Sequence, residues 1–234
     1  MSNIKLFCIP YSGGSASVYL KWKRHLDNRI QLFPLELAGR GSRYNELYYK
    51  NLDEAVNDLL FKIINETDIN SKFAVYGHSL GGIIAYELVY KLQEEFGLIP
   101  SHSFFSGVEA PTSHKILEPI SDLPDDEFVL KIFTYGGTPK ELLENKSFLG
   151  IYLPIIRADM KIYETYNFVE RAKKLESSIS IINGKEDILT IKEIEEWRFL
   201  TKNDCNFYCL DGDHFFINTY TDKVANIINY MCRT

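Results

Sequence analysis

Ser79 stands between two glycines in the stretch FAVYGHSLGGIIAYEL, residues 73–88, and a serine so placed could attack a carbonyl carbon. Gly77, Ser79 and Gly81 make a G-x-S-x-G pattern whose demand is mechanical. A sharp strand-to-helix turn holds the serine in strained backbone geometry and leaves room beside it only for small residues. Five positions alone say little, because a chain of this length contains the pattern by chance roughly one time in ten. The flanks supply what the pattern lacks: FAVY reads as a buried strand, and IIAYELVYKL as an apolar-periodic helix.

A serine hydroxyl is a poor nucleophile at neutral pH, so the chemistry needs a base in reach and a third group to orient that base. Strand-to-helix nucleophiles meet their partners in the order serine, carboxylate, histidine. Of the five histidines, His214 in CLDGDHFF follows a late strand and fits that order. His25 and His102 sit in helix and strand patterns, and His114 comes before any strand-end acid. His78 neighbours the nucleophile but projects away from it on such a turn, which suits a structural role. The acid is expected at Asp187, just beyond the apolar run of ISIINGKEDILT, with Glu186 as its nearest rival. Asp211 and Asp213 lie too near His214 in sequence to face its ring easily and read as loop acids.

Attack on a carbonyl creates a negative oxygen, which two preorganised backbone N–H groups usually stabilise, each worth about a hundredfold or more in rate. Leu80, directly after the nucleophile, should give one. The other should come from the loop PYSGGSAS after the first strand, where Gly13 and Gly14 allow close backbone approach and Ser12 is the candidate donor. A second loop, LAGRGSRYNE, brings Arg40 and Arg43 to the same sheet edge. Guanidinium forks suit phosphate oxygens, although solvated loop charges are the ordinary reading.

The elements that must position these groups alternate. IKLFCIP and IQLFPLE read as strands around the helical spacing of ASVYLKWKRHL; LDEAVNDLLFKIINE reads as an amphipathic helix before FAVYG, and SHSFFSGVE as the next strand. Strands alternating with helices imply a parallel sheet. Alternation stops at about residues 112–168, which read as a helical insertion carrying Phe133, Tyr135, Phe148, Tyr152, Tyr163 and Tyr166. Those aromatics could line a ligand cleft beneath a cap, or simply pack the cap onto the sheet. SSISIINGKED, CNFYCLDGDH and TDKVANIINYM then restore strand, strand and terminal helix.

Composition narrows the class. The 234 residues are 45% hydrophobic and 25% charged with net charge −6, which suits one soluble domain and gives no basic footprint for nucleic acid. No stretch approaches the roughly 18 apolar residues of a membrane span, and the N-terminal run is too short for a signal peptide. Cys8, Cys205, Cys209 and Cys232 form no metal-like pair and read as reduced thiols, with Cys8 buried in a strand. The expectation is a cytoplasmic monomer.

Taken together, IPYSGGSAS, PLELAGRGSR, YGHSLGG, SDLPDDEF, YGGTPKELLENK, NGKED and GDHFF resemble the type II thioesterases, stand-alone α/β-hydrolases that serve nonribosomal peptide and polyketide synthases. The cap phrases are the more particular, since many hydrolases share the triad. The resemblance covers nearly the whole chain and implies one α/β-hydrolase domain over residues 1–234 with a helical lid at about 112–168. It maps the nucleophile to Ser79, the acid to Asp187 and the base to His214. Members of that family commonly carry a small residue such as Ala at the position of Ser12, a change that leaves a backbone donor intact. The implied activity is hydrolysis of acyl or aminoacyl groups stalled on the 4'-phosphopantetheine arm of carrier proteins, with no metal and no cofactor beyond the arm that the substrate carries. A medium-chain fatty acyl thioesterase or a carboxylesterase could use the same residues. Carrier proteins are typically acidic, so an acidic enzyme would need a local basic patch, at Lys21, Lys23 and Arg24 or at Arg40 and Arg43.

Overall fold

Six apolar runs become strands: β1 (Ile4–Ile9), β2 (Ile30–Pro34), β3 (Phe73–His78), β4 (His102–Ser106), β5 (Ser178–Gly184) and β6 (Cys205–Leu210). A computed structural model describes them within residues 3–67, 72–113, 119–134, 146–187 and 194–233. They form one sheet in the order β2-β1-β3-β4-β5-β6, and every neighbouring pair is parallel. Parallel strands need covering crossovers on both faces, which is why β3 and β4 are buried at every position instead of alternating with polar residues.

The two faces share the side chains of each strand by the period of two. Val75 of β3 joins Phe7, Phe105 and Ile181 under the helices α1 (Leu52–Glu66) and α2 (Leu80–Phe96). Ala74 and Tyr76 point the other way, with Leu6, Cys8, Phe104 and Ile182, against Tyr19, Trp22 and the C-terminal helix. Asn51 caps α1 by accepting the Glu54 N–H at 2.9 Å. Gly97 ends α2 at φ +63, a left-handed conformation suited to glycine.

The crossover ASVYLKWKR is not the α-helix that its spacing predicts. Residues Ala16–Arg24 form 3-10 turns, with side chains three apart nearly eclipsed. Tyr19 and Trp22 use that alignment, meeting edge to face at 4.9 Å in the core.

Between β4 and β5 lie α3 (Asp125–Thr134) and α4 (Lys146–Thr165). They have a small apolar centre of their own, Ile120, Phe128 and Ile132 with Leu153, Ile156 and Met160 packed against it. The far end of α4, with Tyr166 just after it, belongs to the main core through Ile162 and Tyr166. Tyr166 therefore packs the cap down, its hydroxyl donating to Glu87 at 2.7 Å, and Tyr163 also lies against the main core. Phe133 and Tyr152 are exposed. Tyr135 and the side chain of Phe148 lie outside the described residues. After β6 come a single turn, α5 (Phe216–Thr219), and α6 (Thr221–Met231). No described helix is long and apolar enough to cross a membrane.

Strand order explains where a site belongs. From β1 the chain crosses by residues 16–24 on one face, whereas from β3 it crosses by α2 on the other. In such sheets the loops beyond these adjacent strands diverge, so a site is expected at their C-terminal ends.

Candidate active site

Ser79 is the only non-glycine residue among those described with positive φ, at φ 55 and ψ −121. Backbone in that region costs on the order of 1–3 kcal/mol and persists only where its surroundings over-determine it. They do so here by close approach. A Cβ on Gly81 would stand 2.6 Å from the Pro10 carbonyl oxygen, and a Cβ on Gly77 would meet that of Ala85 at 2.8 Å. The start of α2 thus lies directly against the loop after β1, and Ser79 itself remains half-buried.

His214 and Asp187 come from the loops after β6 and β5. Gly184 lets those loops touch, since a Cβ there would lie 2.5 Å from the Asp213 carbonyl oxygen. The His214 Nδ1–H donates to Asp187 Oδ2 at 2.8 Å, with the carboxylate 1% and the histidine 7% exposed. A carboxylate can only accept, so Nδ1 carries the proton and Nε2 keeps a free lone pair, the tautomer a general base requires. Glu186, the rival acid, is exposed. Asp211 pairs with Lys185 at 2.6 Å and Asp213 accepts from the Phe215 N–H at 2.8 Å, so both are loop acids.

The other histidines separate cleanly. His25 is exposed and His102 is buried against Ser180 at 2.8 Å; His114 lies outside the described residues. His78 has a larger part than its sequence position suggests. Its Nε2–H donates to the His214 carbonyl at 2.9 Å, and its Nδ1 accepts from Ser106 at 2.9 Å. Burial, reinforced by the neighbouring His214, pushes its pKa well below the usual histidine range, so the ring stays neutral. The residue beside Ser79 is therefore the bracket that holds the backbone of His214.

The loop after β1 is a turn closed by the Gly14 N–H donating to the Tyr11 carbonyl at 2.9 Å, with Gly13 at φ +76. Such a turn needs a left-handed residue at its third position, which glycine supplies. The Gly13 N–H is taken up by Asp159 at 2.8 Å. Among the described residues no acceptor engages the N–H of Ser12 or of Leu80. These two donors are the ones an oxyanion could use.

Arg40 departs from both expectations made of it. It is neither solvated nor open to a phosphate: at 3% exposure it forms a two-pronged pair with Asp159 of α4, Nη1–Oδ2 2.5 Å and Nη2–Oδ1 2.6 Å. Arg43 is likewise engaged, with Glu46, with Tyr49 at 3.1 Å and with Asp58 at 2.6 Å. Sequence spacing gives no sign of the Arg40 pairing, because Asp159 lies 119 residues away in a helix whose facing side is set by the cap.

A strained serine, a carboxylate-bound histidine and two unengaged amides form a constellation that can carry acyl transfer. Comparison with known proteins decides the family: the thioesterase domain model matches residues 4–232. The chain belongs to the thioesterase family.

It is 34% identical over 236 residues to a medium-chain S-acyl fatty acid synthase thioesterase of Rattus norvegicus, covering 98% of this chain and 87% of that one. It is 35% identical over 231 residues to a Brevibacillus parabrevis protein named linear gramicidin dehydrogenase LgrE, covering 97% and 87%. The name of the latter speaks of oxidoreduction, whereas the family model and the Ser79 elbow side with hydrolysis. Among solved structures, ClbQ from the colibactin NRPS/PKS pathway superposes with TM-score 0.94 at 35% identity, covering 99% of this chain and 98% of its own. The protein is a thioesterase of the α/β-hydrolase fold, a hydrolase acting on thioester bonds.

Proposed function

We propose that this thioesterase removes acyl or aminoacyl groups from the 4'-phosphopantetheine arm of carrier domains in nonribosomal peptide or polyketide synthesis, as a cytoplasmic monomer without metal or cofactor. Ser79 Oγ attacks the thioester carbonyl while His214 Nε2 takes its proton, and Asp187 stabilises the imidazolium that forms. The Leu80 and Ser12 N–H groups hold the oxyanion. Collapse expels the pantetheine thiolate; with a thiol pKa of about 8.5 it departs with little help from a general acid. The imidazolium passes its proton to the departing thiolate, and neutral His214 then deprotonates a water that attacks the acyl-serine; return of that proton to Ser79 Oγ releases the acid and restores the serine.

The observation that carries the mechanism is the 2.8 Å Asp187–His214 hydrogen bond, formed between strand-end loops at the edge where Ser79 turns. The carrier substrate is supported by the end-to-end likeness to ClbQ of an NRPS/PKS pathway. With Arg40 and Arg43 engaged inside the fold, the basic patch for an acidic carrier falls to residues 21–24. Lys23 and Arg24 there are exposed, and the Lys21 ammonium donates to the Asn218 carbonyl at 2.7 Å beside the His214 loop.

The test is a panel of carriers loaded with acetyl, aminoacyl, medium-chain and long-chain groups, beside matched simple esters. The expected outcome is a higher kcat/KM for loaded carriers than for the esters, no turnover by Ser79→Ala, and a raised KM for carriers alone in Lys23→Glu/Arg24→Glu. Faster cleavage of the simple esters would remove the carrier assignment. A sharp preference for medium chains would instead favour the fatty acyl reading, which the rat relative motivates.

A further inference from the structure

The Arg40–Asp159 pair has no role in the chemistry described so far, yet it holds the turn that carries Ser12. Asp159 Oδ2 accepts two hydrogen bonds, from Arg40 Nη1 at 2.5 Å and from the Gly13 N–H at 2.8 Å. The same Arg40 nitrogen reaches the Gly14 carbonyl at 3.3 Å. One turn earlier in α4, Ile156 lies so close over the loop that a Cβ on Gly13 would stand 2.7 Å from its Cγ1. The turn 11–14 is therefore fixed from three sides: by its own Tyr11–Gly14 bond, by Arg40 of the loop after β2, and by one face of the cap helix α4.

We propose that Arg40 and Asp159 are positioning residues that make the oxyanion hole conditional on the cap: the Ser12 N–H is aimed for catalysis only while α4 is seated on the loop after β1.

Three physical arguments lead there. A buried ion pair is a weak source of net stability, because desolvation offsets most of the attraction, and some pairs are retained for the geometry they specify. Arg40 and Asp159 are 3% and 1% exposed, and Asp159 divides its acceptors between a guanidinium and a loop amide instead of serving the arginine alone. A turn with adjacent glycines is permissive, so without outside bonds it would sample several conformations. An oxyanion donor is worth most when its direction is set before the charge develops. Seating also has two states, since lifting α4 would strip partners from the guanidinium, the carboxylate and the Gly13 amide together. An acyl chain that packs the cap onto the sheet would thereby complete the hole that its own carbonyl needs. The inference rests on the roles given above to Ser79 and Ser12, and is independent of the carrier that delivers the acyl group.

The experiment uses a short acyl thioester of N-acetylcysteamine, read by thiol release, and a trifluoromethyl ketone of the same acyl length, whose hemiketal oxygen needs the same donors. Arg40→Met/Asp159→Leu replaces the pair by apolar side chains, an exchange that buried pairs often tolerate. It is expected to lower kcat on the order of a hundredfold with KM within about threefold, and to weaken the ketone by a similar factor. Should that variant not fold, Asp159→Asn, which keeps an acceptor for Gly13 but loses the fork, is expected to lose about tenfold in kcat with the same split. Ile63→Val, a core change in α1 outside the cap and the loop after β1, should leave kcat as it was and controls for stability. A folded variant of either kind with kcat within twofold of the parent, or a loss appearing in KM alone, would overturn the proposal. Ser79→Ala is run beside them: if it still turns over, the assignment of the site fails, and not merely its coupling to the cap.

Discussion

At the scale of single residues, Ser79 shows what the elbow costs. Its φ of 55 with ψ −121 suits glycine far better than any residue with a Cβ, and relief of such strain is worth on the order of 1–3 kcal/mol. Glycine returns part of that through the extra freedom of its unfolded chain, about 0.5–1 kcal/mol. Ser79→Gly should therefore be more stable than Ser79→Ala by about 1 kcal/mol in urea denaturation, both variants being inactive; equal midpoints would mean that the strain is not held there. The residues proposed to react stand out in the sequence because their types are rare in their settings: a serine among glycines at a strand end, a histidine after a late strand, an acid just past an apolar run. His78 and Arg40 do not. Their meaning depends on partners 136 and 119 positions away, and no local spacing encodes a contact of that range.

At the scale of elements, the strands were readable because burial on both faces makes short, continuous apolar runs, and α1 because its apolar residues recur at the helical period. The 3-10 form of residues 16–24 was not, since a run of three turns closed by i→i+3 bonds leaves nearly the same apolar spacing as an α-helix of that length. What the elements add is proximity. Because β1 and β3 are neighbours, the first turn of α2 lies against the end of β1, and Gly81 is the residue at the point of contact. Its missing side chain would meet the backbone of Ile9 and Pro10, which cannot yield as a flexible side chain can. Gly81→Ala should then push the loop after β1 away from Leu80, separating the two amide donors. The expected result is a kcat lower by on the order of a hundredfold or more together with a melting temperature lower by several degrees; unchanged kinetics would show that the two elements move independently.

At the scale of the whole molecule, the sheet buries two histidines in neutral form, and this sets how the fold responds to acid. Burial lowers His78 well below the usual range and His102 to about 4. Above pH 6.5 these rings are neutral whether the chain is folded or not, and acidity has no hold on them. Below it the unfolded chain binds protons that the native one refuses, so their contribution is intact at neutral pH and is lost as pH falls, for His102 by about 1.4 kcal/mol per unit down to its folded value. Between pH 6.5 and 5 the carboxylates of the unfolded chain are still largely ionised, which leaves this window to histidine. Over it His102 alone should remove roughly 2 kcal/mol, and His78 acts in the same direction, against the 5–15 kcal/mol typical of a domain. The His102 ring hydrogen-bonds Ser180 at 2.8 Å, far from the Ser79 edge of the sheet. His102→Gln keeps a partner for that hydroxyl and does not titrate. Its urea midpoint should fall less far than the parent's between pH 7 and pH 5, with thioester hydrolysis at pH 7 unchanged. A parent whose midpoint is flat across that interval would mean that these rings take up protons without unfolding the sheet around them.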